Sequence, residues 1–144
     1  MSLPLAFWDA SALIPLCVRQ IQTPQARVLY LNYAVGVWWA TPVEIVSGLT
    51  RLKRMSEIDQ DEFLIGKQRA LELARIWVSI GPTASIAARA CSLLELCPLR
   101  AAAALQLAAA LDACEDKPQS NVFITADQRL ADTARQSGFS VEFI

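Results

Sequence analysis

The sequence predicts an α/β sandwich, a parallel sheet of five strands between two layers of helices, and three observations lead there. Strand and helix signals alternate from end to end, the pattern of parallel strands joined by helical crossovers. No linker or repeat interrupts that alternation. The 144 residues are 54% hydrophobic and 19% charged, which supplies enough apolar side chain for a sizeable core and too little charge for a disordered chain. A single domain over residues 1–144 is expected, with Met1-Ser2-Leu3 read as an addition ahead of the first strand.

The elements follow in order. Leu5-Ala6-Phe7-Trp8 reads as the first strand and ends at Asp9; Ser11 is placed to cap a short helix in which Pro15 is tolerated only in the first turn. A helix over about 23–33 leads to a strand over 35–40. Thr41-Pro42-Val43-Glu44 then has the form of a helix start, with Thr as cap, Pro in the first turn and Glu positioned for a capping box, and the helix runs to about Arg54. Ser56 opens the next helix, whose apolar residues Phe63, Leu64, Leu71, Leu73 and Ile76 keep helical spacing. Trp77 to Ile80 is a short strand. Gly81-Pro82-Thr83 breaks and recaps the chain into a helix that ends near Cys97, because Pro98 disfavours helical geometry in the residue before it. A helix over 99–114, a polar loop over 115–120, a strand over 121–125, a helix from Asp127 to Ser137, a stop at Gly138 and a last strand over 139–143 complete the pattern.

Composition excludes several functions. A net charge of −1 is not that of a protein that grips nucleic acid by bulk electrostatics, so any polynucleotide must be held locally. No run approaches the length of a membrane span; the alanine-rich stretch 101–111 reads as a buried helix, no secretion signal opens the chain, and the cytoplasm is the expected compartment. Without histidine and without a Cys-x-x-Cys pair a zinc site is not expected, and Cys17, Cys91, Cys97 and Cys114 read as reduced core thiols. The surplus of apolar residues suggests that two copies pair as a homodimer.

Three acids stand where predicted strands run out: Asp9, Glu44 and Asp127. In an open α/β sheet, groups beyond the carboxyl ends of the strands share one crevice, so residues distant in sequence meet there. Carboxylate oxygens in such a crevice suit a hard divalent cation such as Mg²⁺ or Mn²⁺, which keeps several waters for hydrolysis. A helix that precedes a parallel strand runs antiparallel to it, which brings Arg100 to Ala103 to the same edge.

With these residues placed, the chain resembles the PIN-domain family and, within it, the ribonuclease toxins of VapBC-type toxin–antitoxin pairs. The resemblance rests on Phe7-Trp8-Asp9-Ala10-Ser11-Ala12-Leu13, on Thr41-Pro42-Val43-Glu44-Ile45 with Gly48-Leu49, on the stretch from Pro98 to Ala108, and on Thr125-Ala126-Asp127-Gln128-Arg129-Leu130-Ala131. It implies a PIN-like three-layer α/β/α sandwich with a central parallel sheet and an acidic pocket for one or two Mg²⁺ or Mn²⁺ ions. The implied activity is endonucleolytic cleavage of RNA, in a homodimer neutralised by a cognate antitoxin. By motif, Asp9, Glu44 and Asp127 would be the catalytic metal ligands, with Ser11 and Thr125 as hydrogen-bonding supports. The family's third acid usually stands where this chain has Ala103, and a methyl group cannot coordinate a cation. Asp112 cannot replace it, since nine residues at about 100° each turn it to the opposite face of the helix.

Plainer readings stand beside these. Glu44 could serve the capping box with Thr41, and Asp127 could be the cap of the last helix. Arg51, Lys53 and Arg54 end a helix, where its dipole favours cations, whereas Arg100 and Arg129 lie nearer the acids and read as RNA-phosphate contacts. Trp38 and Trp39 both read as core. Two alternatives to the nuclease remain: a degenerate PIN domain that binds RNA or a partner without catalysis, and a doubly wound phosphatase or phosphoacceptor domain, which lacks a paired aspartate motif here.

Overall fold

Five strands form one sheet in the computed structural model, which describes residues 2–144: Leu5–Trp8 (β1), Ala34–Trp38 (β2), Val78–Ile80 (β3), Val122–Thr125 (β4) and Ser140–Phe143 (β5). Met1, the first of the three residues read as an addition, lies outside the described residues. The strand order is β3-β2-β1-β4-β5 and every pairing is parallel. Seven α-helices accompany it: Ala10–Cys17 (α1), Thr23–Asn32 (α2), Thr41–Arg54 (α3), Gln60–Leu73 (α4), Ala84–Leu96 (α5), Ala101–Ala113 (α6) and Gln128–Gln136 (α7). From β1 through β3 the chain steps across the sheet in one direction, then returns to build β4 and β5 on the other side of β1. The direction therefore reverses between β1 and β4, and a crevice opens beyond their carboxyl ends. This reversal positions the site.

Alternation along β1 sends Trp8 to one face and Phe7 to the other. Trp8 packs with Leu13 of α1 and Ile45 and Leu49 of α3, all fully buried, in a core that α2 and α4 also flank. Phe7 stacks on Phe123 of β4 with ring centroids 5.6 Å apart, over Leu107 of α6 and Leu130 of α7. Ala104, Ala108, Ala109 and Ala110 are almost wholly buried, so α6 lies close against the sheet with little side-chain bulk between them. Among the described residues no helix is long and apolar enough to cross a membrane.

The α/β/α sandwich with five parallel strands matches the sequence expectation, and several local readings are corrected. The first helix begins directly after Asp9 rather than at Ser11, so Pro15 falls in the second turn, where its burial offsets the backbone hydrogen bond it cannot donate. Ser56 does not open α4; it adopts a left-handed φ of 59° in the preceding turn. Asp59 caps α4 instead, in a reciprocal box: its carboxylate accepts from the Glu62 amide at 2.8 Å, while Glu62 Oε1 accepts from the Asp59 amide at 3.1 Å. Trp39 is 55% exposed, because it lies past the end of β2 and beyond the cover of the helices, whereas Trp38 is core. Of the four cysteines, all free, only Cys17 is buried; Cys91 is exposed on the outer side of α5. Gly138, with φ at 108°, stops α7 as expected.

Helix α4 meets α1 at Gly66, where an added Cβ would stand 2.7 Å from Val18 Cγ1. Valine is branched and stiff, so the helices must separate to accept a methyl group. Gly66→Ala should lower the urea midpoint by the equivalent of about 1–2 kcal/mol, since overpacking outweighs the gain in helix propensity. An unchanged midpoint would show that the α1–α4 contact yields freely.

Candidate functional site

A hollow of about 570 Å³ lies over the crevice between β1 and β4. Asp9, Glu44 and Asp127 all line it, although 118 residues separate the first from the last. Asp9 follows β1 directly, its amide bonded to the Ile124 carbonyl of β4 at 2.9 Å, so the sheet ladder itself carries it to the rim. Glu44 projects from the first turn of α3. Asp127 follows β4 and caps α7, its Oδ1 accepting from the Leu130 amide at 3.2 Å. The plain capping role of Asp127 and its place in the hollow are therefore both real. The capping box expected at Thr41 and Glu44 is absent: Ala40 is the cap residue, and Glu44 Oε1 instead accepts from Gln106 Nε2 at 3.0 Å.

Asp9 is held by its neighbours. Its Oδ2 accepts from Ser11 Oγ at 2.5 Å and from Thr125 Oγ1 at 3.0 Å. Ser11 Oγ in turn accepts from the Ala126 amide at 2.9 Å, and Thr125 Oγ1 from the Asp127 amide at 3.0 Å. Two hydroxyls thus stitch the end of β1 to the turn after β4 and fix the orientation of the Asp9 carboxylate. Ser11 and Thr125 both hydrogen-bond the Asp9 carboxylate, and Ser11 is not a helix cap.

Three acids and three arginines, Arg51, Arg100 and Arg129, line the hollow, and among the described residues they form no ion pair with one another. Among the described residues the salt bridges are Arg89–Asp116 and Arg135–Asp132, so none of the three acids is paired with an arginine. Burial, opposed by the Ser11 and Thr125 hydrogen bonds and aided by the charge of Asp127, pushes the Asp9 carboxyl above its ordinary value. Burial and the nearby Asp9 push Glu44 up to about 7, against the bond from Gln106. A carboxyl whose pKa is raised by folding stabilises the fold most in its protonated form. The contribution of Glu44 is complete below its ordinary 4.5 and is lost as pH rises toward about 7. Glu44→Gln, which cannot ionise, should shrink the fall in urea midpoint between about pH 5 and about pH 8; a fall as steep as that of the parent would assign the loss to other groups.

The donor chemistry fits a hard divalent cation: carboxyl oxygens, none of them ion-paired among the described residues, around a space open to water. Among the described residues no three acidic, cysteine or histidine side chains stand close enough to enclose an ion by themselves, so water must complete any coordination shell. Pro98, Leu99, Arg100, Ala102 and Ala103, from the start of α6 and the residues just before it, also line the hollow, in keeping with the antiparallel course of that helix. Ala103 shares the lining with the acids and offers no ligand atom. Arg129 lines the hollow as expected, and so does Arg51, which the sequence reading assigned to the helix dipole. Its spacing signalled this: Glu44, Ser47 and Arg51 recur at three and four residues, one face of α3. Gln106 was also missed, being a lone amide in an alanine-rich helix.

No protein-family model matches the sequence, and neither does any curated protein. Solved structures do match. A toxin–antitoxin complex from Klebsiella pneumoniae contains a chain that superposes with a TM-score of 0.59 at 20% identity, over 88% of this chain and 90% of that one. PAE2754 from Pyrobaculum aerophilum gives 0.63 at 14% identity, over 96% and 89%, and FitAcB from Neisseria gonorrhoeae gives 0.60 at 15% identity, over 97% of each chain. Agreement over nearly the whole length, in a sheet with the order and direction described above, shows that the chain has the PIN-like α/β fold its four motifs resemble.

Proposed function

We propose that the chain is the toxin of a toxin–antitoxin pair and, by chemistry, a Mg²⁺- or Mn²⁺-dependent endoribonuclease of the cytoplasm, impaired at Ala103. One observation carries this reading: three carboxylates from separate elements line a single hollow at the switch point of the sheet, none of them ion-paired among the described residues. The likeness to a toxin–antitoxin complex supports the partner, an antitoxin seated over the hollow.

Asp9, Glu44 and Asp127 would hold the cation. When bound, it would acidify a water and offset the charge of the scissile phosphate. Ser11 and Thr125 keep the Asp9 carboxylate in one orientation, so that little is reorganised during reaction. Arg100 and Arg129, with Arg51, line the same hollow as the acids and would hold phosphates of the RNA strand. No histidine is needed as base, and none is present. The exposed apolar side chains of α2 and α4, among them Val28, Leu31, Leu64 and Ile65, are surface that pairing of two copies would cover.

The reading is tested by calorimetric titration with Mn²⁺ and by RNA binding at two salt concentrations. Replacing Arg100 and Arg129 together by alanine should weaken RNA binding about tenfold or more and lower its salt dependence by about two phosphate contacts. Unchanged affinity and slope would remove both from the interface. A second reading is favoured by Ala103 itself: a degenerate domain that keeps the partner surface and has lost catalysis. Normal antitoxin or RNA binding with no uptake of Mn²⁺ would select it.

A further inference from the structure

Gln106 is fully buried in α6, one turn beyond Ala103 and on the same face. Its amide nitrogen donates to Glu44 Oε1 at 3.0 Å and to Thr41 Oγ1 at 3.2 Å, so both N–H groups are engaged with residues one turn apart on α3. Its carbonyl oxygen has no hydrogen-bond partner among the described residues. A buried amide that leaves one end unsatisfied costs stability, and an apolar residue of similar size would suit this alanine-lined helix better. What the amide accomplishes is to tie one oxygen of Glu44 to α6. The other, Oε2, has no side-chain hydrogen bond among the described residues, and Asp9 repeats the arrangement in that both hydroxyl bonds fall on Oδ2.

We propose that Gln106 is a positioning residue that leaves Glu44 a single oxygen to give, and that the hollow thereby selects a small divalent cation over calcium. The proposal rests on the metal reading above and deepens it. Calcium takes six to eight oxygens and draws on bidentate carboxylates, whereas Mg²⁺ and Mn²⁺ hold fewer ligands and are content with one oxygen from each carboxylate and a remainder of water. With one oxygen of Asp9 and one of Glu44 already committed, the pocket meets the second demand and fails the first. Releasing Glu44 would free its second oxygen and let it turn.

The experiment is calorimetric titration of the full chain with Mn²⁺ and, separately, with Ca²⁺, on three proteins: the chain as it is, Gln106→Leu, and Gly66→Ala as a variant destabilised far from the hollow. The unaltered chain should prefer Mn²⁺ to Ca²⁺ by about tenfold or more. Gln106→Leu should bind Mn²⁺ about tenfold more weakly, the usual penalty for losing a group that orients a ligand, with Ca²⁺ affinity equal or higher, so that the preference collapses. Gly66→Ala should keep the preference intact. A Gln106→Leu protein that folds and retains the Mn²⁺ preference overturns the role of Gln106 and leaves the metal reading standing. An unaltered chain that takes up neither ion overturns both. Loss of the preference in both variants would trace it to general loosening of the fold and also overturn the proposal.

Discussion

Ala103→Asp should raise Mn²⁺-dependent cleavage of RNA by about a hundredfold or more. Position 103 lines the same hollow as Asp9, Glu44 and Asp127, so a carboxylate there would join them. A properly placed charge around a catalytic cation is worth several kcal/mol in the transition state, and each 1.36 kcal/mol is a factor of about ten in rate. The same substitution should lower the stability of the ion-free protein, because it adds a fourth negative charge where burial and repulsion already disfavour two. Excess Mn²⁺ should reverse that loss through preferential binding to the folded state. The measurement pairs a cleavage assay on single-stranded RNA with thermal melts before and after chelation. Negligible cleavage in both the parent and Ala103→Asp would count against a nuclease, and an ion-independent melt in both would count against the cation.

Asp9→Asn should act in opposite directions on two readouts. The side-chain oxygen of an asparagine can still accept from Ser11 and Thr125, so the stitch between β1 and β4 survives. The charge does not. Mn²⁺ binding should fall below detection, since the remaining acids, Glu44 and Asp127, come from elements on either side of Asp9. Stability without ion should rise. The Asp9 carboxyl has its pKa raised in the fold by burial, so its stabilising contribution is full below the ordinary 3.8 and is lost as pH climbs through the raised value. An asparagine has no proton to lose, and at neutral pH the melting temperature should increase by about 4 °C, the shift that roughly 1 kcal/mol gives a domain of this size. A decrease at all pH values would identify Asp9 as a structural residue whose charge the fold needs.

Alternation of strand and helix signals carried most of the architecture, because period-two and period-3.6 patterns are local properties of the chain. The errors are local too. Pro15 and Ser56 were misplaced by a few residues because several small polar residues compete as helix caps, and only the burial of the flanking side chains chooses among them. Trp39 was assigned to the core because a strand pattern does not say where helix cover ends. Among the residues that line the hollow or hydrogen-bond within it, Asp9, Glu44, Asp127, Ser11, Thr125, Arg100, Arg129 and Ala103 are those that strand ends and motif order point to. Arg51 and Gln106 are not among them: one had an adequate local explanation in the helix dipole, and the other lies 62 residues from the carboxylate it holds.

By itself the sequence determined which residues end strands, which helix faces are apolar, and hence that acids would gather at one edge of a parallel sheet. Only the tertiary structure decided that Asp9 and Asp127 flank the reversal between β1 and β4, that hydroxyls and an amide occupy one oxygen each of Asp9 and Glu44, and that among the described residues no arginine forms an ion pair with the three acids. The physical reason is range. Periodicity is set by neighbours a turn away, whereas the charge state and orientation of a buried carboxylate are set by whatever the fold brings within hydrogen-bonding distance, from any point along the chain.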